Sequence, residues 1–254
     1  PANIVISILG FVALCLITSS GYIRNDIIDL QKDKIHPEKC KRPLPSGQIT
    51  LKQANTTFLI LVGIGLILSF SLDLLFGVFM VALIINTEIY SRVTKNIVFL
   101  DVFAIGINFV IRAVSGIVLI NTPISPWIIL GVFFVALFLG FMKRKSEIIT
   151  LKNSADSHRK VLNHYTKSSL NISVFISAMM VLAIFTIYSV IGPFDDGRLI
   201  LTVPFIAFII LRQLHLSKIN HTLIQKNEFY KDKLTALAII SYSIFTLILL
   251  YTDF

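Results

Sequence analysis

A polytopic all-α membrane helical bundle of about eight spans is the fold class that this sequence predicts, and three observations predict it. The first is bulk hydropathy. Of the 254 residues, 55% are hydrophobic and the mean hydropathy is +0.82, more apolar residue than a soluble domain of this size can bury. The second is segment length. Apolar stretches of roughly 20 residues, enough to cross ~30 Å of hydrocarbon, recur at 2–22, 53–70, 72–90, 97–120, 125–142, 168–191, 198–215 and 234–252. The third is charge placement. Lys and Arg number seven in 23–52, two in 91–96, seven in 143–167 and five in 212–233, whereas the connections near 71, 121–126 and 192–197 carry none. That alternation follows the positive-inside rule and puts the four basic connections in the cytoplasm. The net charge of +9 is therefore a topology signal first. No basic stripe with interleaved aromatics stands outside the spans, which argues against nucleic acid as a partner. One integral-membrane domain over 1–254 is expected.

The first span starts at the very beginning of the sequence, without a methionine, a charged n-region or a small-residue cleavage site. By the charge alternation Pro1 lies outside, so a further span is expected ahead of it. The span ends in Ser19-Ser20-Gly21-Tyr22, small residues that permit close helix packing. Cys15 in the span and Cys40 beyond it suggest neither a disulfide nor a CxxC metal site.

The stretch from Asn25 to Pro43 follows, and it holds four of the chain's fourteen acids. In a helix that Pro37 would end, Asn25, Asp29 and Asp33 recur at i, i+4, i+8, with Asp26 alongside. Three carboxylates on one stripe repel each other. A divalent cation among them removes the difficulty, and hard oxygen ligands suit Mg²⁺ carrying a substrate diphosphate. Lys39, Lys41 and Arg42 come next and can hold phosphate oxygens. The plainer alternative is a solvated helix end.

Pro43-Leu44-Pro45-Ser46-Gly47 then forces a turn. The second and third spans meet around Ser71 to Asp73 in a tight hairpin. Glu88, Tyr90, Ser91, Arg92 and Lys95 gather where the third span ends, as a snorkelling belt or a phosphate site.

In the fourth span Asp101, Asn108 and Arg112 fall at i, i+7, i+11, within about 40° of one another on a helical wheel. Charge at membrane depth costs about 2.5–3.5 kcal/mol per residue on insertion scales, so such residues face a partner or a watery cavity. Eleven residues put Asp101 and Arg112 ~16 Å apart along the axis; they cannot touch, and each needs another partner. The fifth span closes on Lys143-Arg144-Lys145-Ser146-Glu147. The connection after it carries Asp156, His158, Arg159, Lys160, His164 and Tyr165, with Arg159, Leu162 and Tyr165 at three-residue spacing. No HExxH spacing accompanies the histidines, so a zinc site is not indicated.

Asn25-Asp26-x-x-Asp29-x-x-x-Asp33 followed by Lys39-x-x-Arg42-Pro43 resembles the first aspartate-rich motif of the UbiA superfamily of intramembrane prenyltransferases. In that superfamily the motif follows the second span, so the resemblance implies that one N-terminal span is missing here. A second aspartate-rich motif of the superfamily has no match. Its region offers Lys143-Arg144-x-x-Glu147 and Arg159-x-x-Leu162-x-x-Tyr165, which resembles the decaprenyl-phosphate phosphoribosyltransferase branch. His36-Pro37-x-Lys39, Tyr90-Ser91 with Lys95, Asp101, Arg112-Ala113-x-x-Gly116 and Phe133-Phe134-x-Ala136-Leu137-Phe138 agree with that branch.

The resemblance implies transfer of phosphoribose from 5-phosphoribosyl 1-diphosphate to a polyprenyl phosphate, with release of diphosphate. It also implies a bacterial plasma membrane with the site facing the cytoplasm; homo-oligomerisation stays open. Asp26, Asp29 and Asp33 would bind Mg²⁺, with Asp26, Asp29 and Asn25 as the catalytic set. Asp33, Lys39, Arg42, Lys143, Arg144, Glu147, Arg159, Tyr165, Asp101 and Arg112 would bind substrate. One acidic cluster fits one Mg²⁺-diphosphate, and bases in place of a second cluster suit phosphates that arrive without a second diphosphate. The nearest rival is a conventional prenyltransferase that joins a prenyl diphosphate to an aromatic or glycerol phosphate acceptor; a second acidic cluster would favour it. A transporter would be favoured by helices broken by Gly or Pro at midmembrane in two matching halves, and no such repeat is evident.

Overall fold

The computed structural model describes residues 2–36, 39–150, 160–192, 197–219 and 231–251. Among them are eight helices long and apolar enough to cross a membrane. They are α1 (Ala2–Lys34), α2 (Leu51–Leu72), α3 (Leu74–Arg92), α4 (Leu100–Leu119), α5 (Pro126–Thr150), α6 (Lys167–Ile191), α7 (Val203–Ile219) and α8 (Lys233–Tyr251). No strand occurs among the described residues. The chain is an all-helical integral-membrane bundle, and each expected span has its helix.

Two helices outrun their spans. Hydropathy marks residues 2–22 and 125–142, yet α1 continues to Lys34 and α5 to Thr150. Hydropathy reports what hydrocarbon accepts, whereas a helix continues until a breaker stops it. Residues 23–34 and 143–150 contain neither Pro nor Gly. The twelve added residues of α1 carry the acidic stripe ~18 Å beyond the apolar segment.

The chain divides into two compact units. One holds the described residues of Pro1–Val132 and Asp156–His164, the other those of Phe133–Ala155 and Tyr165–Phe254. In the first, Ala13 and Ile17 of α1 bury against Phe76, Met80 and Leu83 of α3, sets spaced i, i+4 and i, i+4, i+7, as one helix face requires. At Gly65 of α2 a Cβ would lie 2.7 Å from Ile17 Cδ1, so the approach of α1 and α2 depends on the missing side chain. Thr50 starts α2 with a capping box: its Oγ1 accepts from the Gln53 N–H at 3.2 Å, while Gln53 Oε1 accepts from the Thr50 N–H at 2.8 Å. Asp73 alone links α2 to α3, and its carboxylate accepts the Phe76 N–H at 2.7 Å. Asn86 of α3 donates from Nδ2 to Asn108 Oδ1 at 2.8 Å and to the Ala104 carbonyl at 3.0 Å, tying α3 to α4.

In the second unit α6 buries Leu170, Val174, Ala178, Val181 and Ile184, another single helical stripe. Arg212 of α7 donates to both oxygens of Asp232, at 2.6 and 3.0 Å. Asp232 also accepts from the Thr235 N–H at 2.9 Å and hydroxyl at 2.8 Å, which caps α8. The Arg212 guanidinium, helped by Thr235, holds the Asp232 carboxyl well below the usual carboxylate range.

Candidate active site

The acidic stripe stands at the end of the first unit where α1 and α3 finish and α4 begins. Asp26, Asp29 and Asp33 lie on consecutive turns of α1, as their spacing predicts. Each meets a base from outside the helix. Arg42 Nη1 lies 2.6 Å from Asp26 Oδ1 and 3.5 Å from Asp33 Oδ2. Lys39 Nζ lies 3.2 Å from Asp33 Oδ1. Lys95, from the 3-10 turn Thr94–Asn96, donates to both oxygens of Asp29 at 2.7 and 2.8 Å. Asp33 is 2% exposed, so its carboxylate depends on these partners.

Three bases thus offset the repulsion among the three carboxylates. Among the described residues no three His, Cys, Asp or Glu side chains converge as a metal cluster.

A second ion-pair group abuts the first. Arg24 donates to Glu88 from Nη2 at 3.0 Å and from Nε at 3.1 Å, Arg92 also reaches Glu88, and the Arg24 guanidinium lies 5.6 Å from the Phe58 ring centroid. These contacts join α1, α2 and α3 one residue before Asn25, which is half-buried on the same turn. Asp101 is fully buried in the first turn of α4, where the helix dipole favours a carboxylate. Arg112 lies within α4 with its guanidinium 5.7 Å from the Phe109 ring centroid; as the spacing required, it does not pair with Asp101.

The second unit holds Lys143, Arg144, Glu147 and Tyr165. Lys143, Arg144 and Glu147 sit on α5, so they extend a span where a connection was expected. Arg144 is 2% exposed and donates from Nη1 to Glu147 Oε2 at 2.8 Å. Tyr165 is buried. Arg159 lies outside the described residues.

The UbiA prenyltransferase family model matches residues 1–230. The chain belongs to the UbiA prenyltransferase family. Its relatives within and beside that family include the decaprenyl-phosphate phosphoribosyltransferase of Mycolicibacterium smegmatis, 31% identical over 170 residues, 67% of this chain and 54% of the relative. The enzyme of the same name from Corynebacterium glutamicum is 28% identical over 190 residues, 72% of this chain and 55% of the relative. The digeranylgeranylglyceryl phosphate synthase of Sulfolobus acidocaldarius is 31% identical over 143 residues, 55% of this chain and 51% of the relative. The chain spans about half the length of the phosphoribosyltransferases it matches.

Among solved structures, a UbiA homologue from Archaeoglobus fulgidus bound to DMAPP and Mg²⁺ superposes with a TM-score of 0.70 at 14% identity, covering 94% of this chain and 88% of that one. The apo UbiA homologue from Aeropyrum pernix K1 gives 0.70 at 15% identity, covering 97% and 94%. These likenesses establish the UbiA fold.

Three pairings around the acidic stripe escape a reading of periodicity. Lys95 reaches Asp29 across 66 residues and Arg24 reaches Glu88 across 64, while Asn86 meets Asn108. The available signal was polarity at span ends. Lys95 and Glu88 stand where the third span ends, and Arg24 directly precedes Asn25-Asp26.

Proposed function

We propose that this chain transfers 5-phosphoribose from 5-phosphoribosyl 1-diphosphate to a polyprenyl phosphate and releases diphosphate. The observation that carries the reading is the pairing of Asp26, Asp29 and Asp33 with Arg42, Lys95 and Lys39. A site with as many bases as acids offers partners to phosphate oxygens as well as to a metal. The relatives named decaprenyl-phosphate phosphoribosyltransferase support the same substrates.

The donor set suits Mg²⁺, an ion held by one or two carboxylates plus substrate phosphates in place of a full protein cage. Asp26 and Asp29, with Asp33 behind them, would hold it. When bound, it offsets the charge of the departing diphosphate. Lys95 and Arg42 then exchange their carboxylates for diphosphate oxygens, and Lys39 stays against buried Asp33. Asn25 hydrogen bonds to phosphate. A lipid phosphate oxygen attacks C1 of the ribose, the C1–O bond to diphosphate breaks, and its electron pair leaves with the diphosphate. The nucleophile is anionic at neutral pH, so positioning and electrostatics carry the rate without a strong base. Lys143, Arg144 and Arg159 are assigned to the remaining phosphates and Tyr165 to the ribose or a phosphate.

A conventional prenyltransferase is the second reading, favoured by the relative named digeranylgeranylglyceryl phosphate synthase. Membranes containing the protein, given labelled 5-phosphoribosyl 1-diphosphate and polyprenyl phosphate, should form labelled lipid. Thermal unfolding should be delayed by that donor with Mg²⁺. Protection by geranyl diphosphate with none by the phosphoribosyl donor would transfer the assignment to the second reading.

A further inference from the structure

Arg112 stands twelve residues into α4 and seven from its end, ~18 Å and ~10 Å along the axis, too deep in the span for its head to reach either end. Its Nε is buried and has no hydrogen-bond partner. The titratable groups near enough to act on it are the Tyr22 phenol and the Cys15 thiol, and neither is a carboxylate. A guanidinium does not shed its proton. Arg112 is half-buried at membrane depth with no carboxylate beside it, and such a charge implies a counter-ion that arrives with a ligand.

Helix α1 connects this position to the acidic stripe. Cys15, Tyr22, Asp26, Asp29 and Asp33 fall at i, i+7, i+11, i+14 and i+18, along one side of the helix. Thr18 is on that side too, and its Oγ1 is another buried atom without a partner. Tyr22 precedes Asp26 by one turn, ~6 Å. On α4 side chains lean toward the helix N-terminus, the end that carries Asp101, so Arg112 leans toward the aspartates. Asn108, one turn before Arg112, is fixed by its hydrogen bond from Asn86.

We propose that Arg112, flanked by Tyr22 and Asn108, binds a phosphate monoester beside the aspartate-held diphosphate, namely the 5-phosphate of the donor or the phosphate of the lipid. This deepens, and rests on, the phosphoribosyltransferase reading. Both groups present three oxygens and up to two charges, and a guanidinium meets such a group with parallel N–H donors. The site places one anion at each end of the α1 stripe, diphosphate at Asp26 and Asp29 and monophosphate at Arg112.

The test uses the full chain in detergent micelles with Mg²⁺ and four probes: polyprenyl phosphate, the matching polyprenol, 5-phosphoribosyl 1-diphosphate and inorganic diphosphate. Affinities are read from thermal protection. Arg112→Gln should weaken polyprenyl phosphate at least tenfold relative to polyprenol if the lipid supplies the phosphate. It should weaken the phosphoribosyl donor at least tenfold relative to diphosphate if the 5-phosphate does. Arg112→Lys, which keeps the charge and loses the fork, should show a smaller loss on the same probe; Lys52→Gln on α2 should show none. Without ligand, Arg112→Gln should melt no lower than wild type, since a half-buried charge without a carboxylate partner has been removed.

Unchanged affinities for all four probes in Arg112→Gln would overturn the proposal. Equal losses with and without the phosphate group, or a lower ligand-free melting temperature with affinities intact, would do the same. Wild-type protein that ignores the phosphoribosyl donor yet prefers polyprenyl phosphate through Arg112 would end the phosphoribosyltransferase reading and leave this anion site standing.

Discussion

Replacing Lys95 by Met tests whether the site is held together by its bases. Lys95 Nζ sits between both oxygens of Asp29, and the two side chains are 11% and 13% exposed. Breaking a fully buried pair costs about 3–5 kcal/mol, and an exposed pair contributes about 1 kcal/mol or less. A charge-assisted bond at this partial burial falls between, at about 2 kcal/mol. For a chain of this size each kcal/mol moves the midpoint by roughly 2–4 °C, so Lys95→Met should melt roughly 4–8 °C lower. Because Asp29→Asn removes the charge left stranded, the double variant should cost about 1–2 kcal/mol less than the two single changes added together. Magnesium with diphosphate should recover part of the loss in Lys95→Met, since Asp29 then gains a cation. Thermal unfolding of the purified protein in detergent reads wild type and the three variants. A melting temperature for Lys95→Met indistinguishable from wild type, or strict additivity in the cycle, would refute the argument.

The metal assignment predicts that EDTA abolishes turnover and that Asp29→Asn, nearly isosteric, loses most activity while the helices persist; full activity in either case would remove Asp29 from the mechanism. Arg144→Ala should lower kcat/KM by roughly 10–100-fold, the equivalent of one charge-assisted hydrogen bond of about 1.5–3 kcal/mol, and an unchanged value would leave Arg144 a structural partner of Glu147. For topology, in a background with Cys15 and Cys40 replaced by Ser, a cysteine at Ser71 should react with an impermeant maleimide on intact cells and one at Lys52 only after lysis; the reverse pattern would invert the orientation. Asp232 makes a pH prediction. Its carboxyl is held below its unfolded value, so the stability it supplies is full above the unfolded carboxylate range of ~4 and fades as pH falls toward the folded value. The melting-temperature advantage of wild type over Asp232→Asn should therefore be constant near neutrality and shrink below about pH 4, and an advantage that grew on acidification would contradict the pairing with Arg212.

Local spacing carried the parts of this molecule that local physics determines. Apolar length located eight helices, and the i, i+3, i+4 recurrence placed Asp26, Asp29 and Asp33 on one stripe of α1. The arithmetic of helical rise also separated Asp101 from Arg112. Periodicity says nothing about what a stripe faces. Lys95 and Asp29 meet because the turn after α3 folds back on α1, a tertiary fact with no trace in either segment's own pattern. The same holds for Arg24 with Glu88 and Asn86 with Asn108. Lys39 and Arg42 were legible as bases following the stripe, but their pairing with Asp33 and Asp26 was not. The helix that Pro37 was expected to end does carry the acidic stripe, to Lys34, whereas the end of the fifth span was set too early, at residues 143–150, because hydropathy reports the solvent around a helix and leaves its backbone unread.

At rest the charges of Asp26, Asp29 and Asp33 cancel those of Lys39, Arg42 and Lys95, so the centre exerts no long-range pull on a polyanion. Capture is left to the surrounding Lys and Arg of the connections, whose field decays over about 8 Å at physiological ionic strength. Arrival and chemistry are therefore governed by different charges. Added salt slows arrival by screening the outer field, while the short, sheltered contacts that take over once the diphosphate is inside are screened much less.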